Sequence, residues 1–112
     1  MDMDLEIVTA RRAVLTLRGG IDVYAAPLLR QRIIDLDEEG VHTIVLDLAA
    51  VEFVDQTGIG VLTEASKRLA AHGGSIALVL SDEPVVRLEG SEAPAGALQV
   101  YRSRDEALRA TG

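Results

Sequence analysis

Asp55, Gln56 and Thr57 put a carboxylate, an amide and a hydroxyl on consecutive residues, followed by Gly58, in the most informative stretch of the chain. They stand directly after the apolar run that starts at Thr43 and directly before a segment with helical periodicity, so they occupy a strand-to-helix turn. The first N–H groups of a helix have no internal partners and the macrodipole is positive there. Asp55 and the Thr57 hydroxyl can therefore cap the helix, or present oxygen atoms to a partner. A strand-end aspartate in D-x-T-G could also accept a phosphoryl group, but that chemistry needs further carboxylates to hold Mg²⁺ beside it. Glu52 lies three residues earlier and Asp47 lies within the strand; the usual acid pair and lysine are missing, so an Asp55 phosphoryl-acceptor enzyme or receiver is the remote alternative and no enzymatic activity is expected.

The remaining chemistry-bearing residues are sparse. His42 and His72 are thirty positions apart, each in a polar turn context, and with no cysteine in the chain they form no ligand cluster or triad in sequence. Neither a metal nor a cofactor is expected. The net charge of −7 and the scattered basic residues, with no aromatic residues interleaved for stacking, argue against a nucleic-acid surface. No apolar run approaches the ~20 residues needed to span a bilayer. The acidic start, MDMDLEI, lacks the basic region of a secretory signal, so a cytoplasmic protein without direct membrane insertion is expected.

The elements that position the turn read as follows. Leu5 to Ala10 and Ala13 to Arg18 alternate apolar and polar residues around Arg11-Arg12, a hairpin that Gly19-Gly20 should close. Asp22 should cap a helix with Pro27 in its first turns, and Ala26, Leu29, Ile33 and Leu36 give it one buried face. Asp37-Glu38-Glu39-Gly40 ends that helix, and Thr43 to Leu48 is a central strand buried on both faces. Phe53-Val54 is a second short apolar push before the turn. The next helix runs from about Thr57 to Ala71, with Val61, Leu62, Ala65 and Leu69 inward, Glu64, Lys67 and Arg68 outward, and Gly73-Gly74 as its left-handed end. Ser75 to Leu80 is another buried strand, Ser81-Asp82-Glu83-Pro84 starts a short helix, and Glu89 to Ala97 is a turn-rich loop. Leu98 to Tyr101 should be an edge strand and Arg104 to Ala110 a terminal helix. The expectation is one α/β domain over residues 1–112, a small mixed β-sheet with helices packed mainly on one face.

Three stretches carry a resemblance to a known family: GGID at Gly19 to Asp22, VLDLAAVEFVDQTGIGVL from Val45 to Leu62, and the Gly-Gly, strand, DEPVVRL succession from Gly73 to Leu88. Over nearly the whole chain the sequence resembles the STAS family, the small domains of bacterial anti-sigma factor antagonists. The family motif is usually aspartate, serine, serine or threonine, glycine, an apolar residue and glycine, which Asp55, Thr57, Gly58, Ile59 and Gly60 match. The resemblance implies a binding module that captures a kinase-type anti-sigma factor, a serine kinase of the histidine-kinase-like ATPase superfamily, and is released when the serine after the motif aspartate is phosphorylated. Phosphorylation adds about −1.5 to −2 charges, enough to break a tight or acidic interface.

This sequence departs from that pattern at the acceptor itself, where Gln56 stands and cannot be phosphorylated. Thr57 is the one hydroxyl left in the motif, an alternative acceptor or simply a helix cap. EGSEAPAGA, at Glu89 to Ala97, also departs from the more apolar helix end and turn usual there. The expected partner-binding residues are Asp22, Asp55, Gln56, Thr57, Gly58 and Ile59, the last because it falls off the inward stripe of its helix. A monomer or weak dimer is expected. The alternative reading is a STAS scaffold of a sensory complex, or an accessory subunit of a membrane transporter, unrelated to sigma factors.

Overall fold

The computed structural model describes residues 1–80 and 98–111. Its elements are β1 (Asp2–Thr9), β2 (Arg12–Ile21), α1 (Ala26–Glu38), β3 (Thr43–Val54), α2 (Gln56–Ala71), β4 (Ser75–Val79), β5 (Gln99–Tyr101) and α3 (Arg104–Thr111). The strands form one mixed sheet in the order β1-β2-β3-β4-β5, with β1 antiparallel to β2 and every other neighbouring pair parallel. The expected short helix starting at Ser81 and the Glu89 to Ala97 loop lie outside the described residues.

Alternation along each central strand gives the sheet two apolar faces. Ala13, Leu15, Leu17, Ile44, Leu46, Leu48, Ile76 and Leu78 point to one side, where they pack with Ala26, Leu29, Ile33 and Leu36 of α1 and Val61, Leu62, Ala65 and Leu69 of α2. Val14, Val45, Ala77 and Val79 point to the other, where only Ala107 of α3 joins them among fully buried residues described. Two covered faces explain why β3 and β4 read as near-continuous apolar runs. Both helix stripes expected from sequence are buried as such.

Three expectations are corrected. Gly19-Gly20 does not close the hairpin: β2 runs through both glycines to Ile21, with register shifts against β3 in that region. The Phe53 ring covers Gly20 so closely that a Cβ there would overlap it. Phe53-Val54 is likewise no separate push, because β3 continues unbroken from Thr43 to Val54 beside the lengthened β2. Arg68 does not simply face outward; its side chain turns back across the end of α1 to Asp37.

Candidate functional site

Ile21 and Val54 are register partners at the C-terminal ends of the adjacent parallel strands β2 and β3. The residues that follow, Asp22 and Asp55, are therefore set side by side, and the Asp55 N–H donates to the Ile21 carbonyl at 3.1 Å. Two aspartates 33 positions apart become one surface feature because parallel strands share an end.

Asp55 is the N-cap of α2. Its backbone is extended, with φ −82° and ψ −179°, and Oδ1 accepts from the Gly58 N–H at 2.9 Å. This satisfies one of the orphan donors of the first turn. Thr57 is thus not the cap: it sits at the second helical position with Gln56 before it, and both side chains are exposed. Asp22 caps a turn just ahead of α1 rather than the helix itself. Its Oδ1 accepts from Tyr24 N at 3.0 Å and Ala25 N at 2.8 Å, while α1 begins at Ala26 with no side-chain cap.

Gly58 is buried, against the expectation that it faces a partner. A Cβ there would lie 2.7 Å from Val54 Cγ1 and 2.9 Å from Ile21 Cγ2, so the absence of a side chain lets α2 start against the strand ends. That close approach also draws Ile59 inward. It is half-buried and packed on the α1–α2 side of the core, which corrects the reading of Ile59 as off the inward stripe. Next to the Asp22 turn the exposed apolar residues are Val23, Tyr24 and Leu28, which are 54%, 82% and 60% exposed. Helical periodicity does not single out Val23 and Tyr24, which precede the helix; Leu28 beside the inward Leu29 is the one sequence signal of this surface.

Asp47 does not reach the turn. Its carboxylate meets Arg104 Nε at 3.3 Å and the Ala49 N–H at 3.1 Å.

At the opposite end of the strands the structure overturns a further expectation. His42 and His72 are neither apart nor without a carboxylate: both Nδ1–H groups donate to Asp37 Oδ1, at 2.7 and 2.9 Å, and the ring centroids are 5.2 Å apart. Arg68 Nε donates to Asp37 Oδ2 at 2.8 Å. Asp37 is 3% exposed. Burial alone would raise its pKa, but the hydrogen bonds from His72, His42 and Arg68 outweigh it and hold the carboxyl below its usual 3.8. In sequence Asp37 looked like one member of a helix-ending acidic run.

A mixed sheet of one antiparallel and four successive parallel-paired strands, two crossover helices on one face and a capped turn at the shared strand ends define a single α/β domain class. The chain belongs to the STAS domain family, whose sequence profile matches residues 4–106. It is 36% identical over 74 residues to the anti-sigma-B factor antagonist of Bacillus subtilis (strain 168), covering 66% of this chain and 67% of that protein. It is 31% identical over 88 residues to the anti-sigma F factor antagonist of Lysinibacillus sphaericus, covering 78% of this chain and 74% of that one. Among solved structures, the Bacillus anti-sigma factor antagonist SpoIIAA in its unphosphorylated form superposes with a TM-score of 0.74 over 97% of this chain and 96% of its own, at 22% identity, a likeness of fold.

Proposed function

We propose that this chain is an anti-sigma factor antagonist-like binding module that captures a kinase-type anti-sigma factor through the paired Asp22 and Asp55 turns. The observation that carries the reading is the side-by-side setting of those turns at the ends of β2 and β3, in a chain whose relatives at 36% and 31% identity are antagonists of anti-sigma factors. Gln56 and Thr57 stand exposed on this end of the molecule, and the apolar trio Val23, Tyr24 and Leu28 follows directly from Asp22. An exposed tyrosine flanked by aliphatic side chains suits the buried centre of a protein interface. Asp55 supports binding rather than catalysis: its Oδ1 is occupied as a cap, and among the described residues it belongs to no group of three metal-ligating side chains. No described helix is long and apolar enough to cross a membrane.

Gln56 in place of the family's serine makes this binding constitutive, with regulation by abundance or by competition with a phosphorylatable relative. Thr57 lies one residue later and about 100° further around the helix, which misaligns its hydroxyl for in-line transfer at a kinase site shaped for the preceding position. The test is incubation with a cognate anti-sigma kinase, ATP and Mg²⁺, read by calorimetry and intact mass. A complex with unchanged mass supports the proposal. No complex with any such kinase would favour a scaffold or transporter role, and stoichiometric phosphate on Thr57 would show the switch to have moved by one residue.

A further inference from the structure

Two helix ends of the same design meet below the sheet. α1 closes with Val41 N on Leu36 O and Gly40 N on Asp37 O, and α2 with Gly74 N on Leu69 O and Gly73 N on Ala70 O, each around a glycine at φ +93° or +79°. Ser75 N donates to His42 O at 3.1 Å and locks the two exits together. The consequence is that His42, just past one helix end, and His72, the C-cap of the other, both aim Nδ1 at the buried carboxylate of Asp37.

We propose that Asp37, His42 and His72 form a binding site for one divalent transition metal ion of the zinc or cobalt class. One ligand atom from each of the three residues lies within 4.8 Å of the others. Two imidazole nitrogens and a carboxylate oxygen are the donors that Zn²⁺ and Co²⁺ take. Tetrahedral ligands about 2.0–2.1 Å from a metal sit about 3.3 Å apart, so the present separations of 2.7 and 2.9 Å need to open by about half an ångström. The rings allow this, since the side chains of His42 and His72 are 29% and 49% exposed. Metal entry displaces the hydrogen from each Nδ1, and it reappears on Nε2 by exchange with water, so each imidazole binds as its neutral tautomer. Arg68 stays on Oδ2 at 2.8 Å and orients the carboxylate, as outer partners of metal ligands do. The negative ends of two helix dipoles converge here and favour a cation, and Glu38, 3.9 Å from Arg68, offsets part of the guanidinium charge that opposes one. The exposed ring edges leave the remaining positions to water.

The experiment is titration of untagged, metal-stripped protein with ZnCl₂ by calorimetry and with CoCl₂ by visible absorption. The expected result is one ion per chain at micromolar or tighter affinity, with the Co²⁺ band of a low-coordinate nitrogen–oxygen site. His42→Asn and His72→Asn should each weaken Zn²⁺ by at least tenfold and the double variant should abolish the Co²⁺ band, while circular dichroism shows all three folded. Lys67→Ala should bind as the parent does. Failure of the parent protein to take up either ion at millimolar concentration, or undiminished binding by the folded double variant, would overturn the proposal.

Discussion

Gln56 is the first residue of α2, exposed and next to the capping Asp55. A glutamate there faces the positive end of the helix dipole, so Gln56→Glu should leave the fold as stable as before or raise it by about 0.3–1 kcal/mol. On the proposed function, the same charge stands in the interface, and Gln56→Glu should weaken capture of an anti-sigma factor more than Gln56→Ala does, with the gap narrowing in high salt. Equal affinities by calorimetry would take this turn out of the interface. Asp37 calls for a different measurement. Asp37→Asn should cost about 1–3 kcal/mol at pH 7, since it weakens hydrogen bonds to a buried charged acceptor. The folded carboxyl is held below 3.8, so its stabilisation is complete well above that pH and is lost as pH falls through the folded value. The difference between wild type and Asp37→Asn in denaturant midpoint should thus shrink between about pH 5 and pH 2; a constant difference would mean that the carboxylate is not what these side chains hold.

Within α2 two glycines separated by one residue should respond oppositely to the same substitution. Both lie inside a helix, where alanine is intrinsically better by about 1 kcal/mol. Gly60 has open space around its missing Cβ, so Gly60→Ala should stabilise the protein by about 0.5–1 kcal/mol. At Gly58 the methyl would press on Val54 and Ile21, whose β-branched side chains are stiff at χ1, with the Ile21 carbonyl oxygen 3.3 Å away. Overpacking costs of about 1–3 kcal/mol then exceed the propensity gain, and Gly58→Ala should lower the thermal midpoint. Matching shifts for the two variants would show that α2 does not start against the strand ends.

The helix α3 is held on the far face of the sheet by the buried Ala107, by Arg12 Nη1–H donating to the Leu108 carbonyl at 2.6 Å, and by Arg104. Its guanidinium reaches Asp47 on β3 and Thr16 on β2, with Glu6 of β1 3.9 Å away, so a single side chain ties α3 to three strands. Arg104→Ala should cost about 1–3 kcal/mol by stranding Asp47, whose side chain is only 16% exposed. Arg30→Ala removes an exposed pair with Glu64 and should change stability by no more than about 0.5 kcal/mol. Denaturant unfolding of the two variants gives the comparison, and equal losses would mean that the far face is not held in this way.

Local chemistry alone was enough to determine the order of the described elements, the inward stripes of α1 and α2 and the buried strands, and it narrowed the cap of α2 to Asp55 or Thr57, because each depends on residues within a few positions of one another. The same holds for the family motif, a contiguous run from Asp55 to Gly60. Only the tertiary structure decided what depends on distant segments meeting. Gly58 faces the core because the ends of β2 and β3 lie beneath it, and Gly19-Gly20 continue a strand because β3 runs on beside them, with Phe53 covering Gly20. Asp37, His42 and His72 converge because two helix ends pack together. No spacing along the chain encodes that meeting; it exists only where the folded backbone brings residues 35 positions apart onto one oxygen atom.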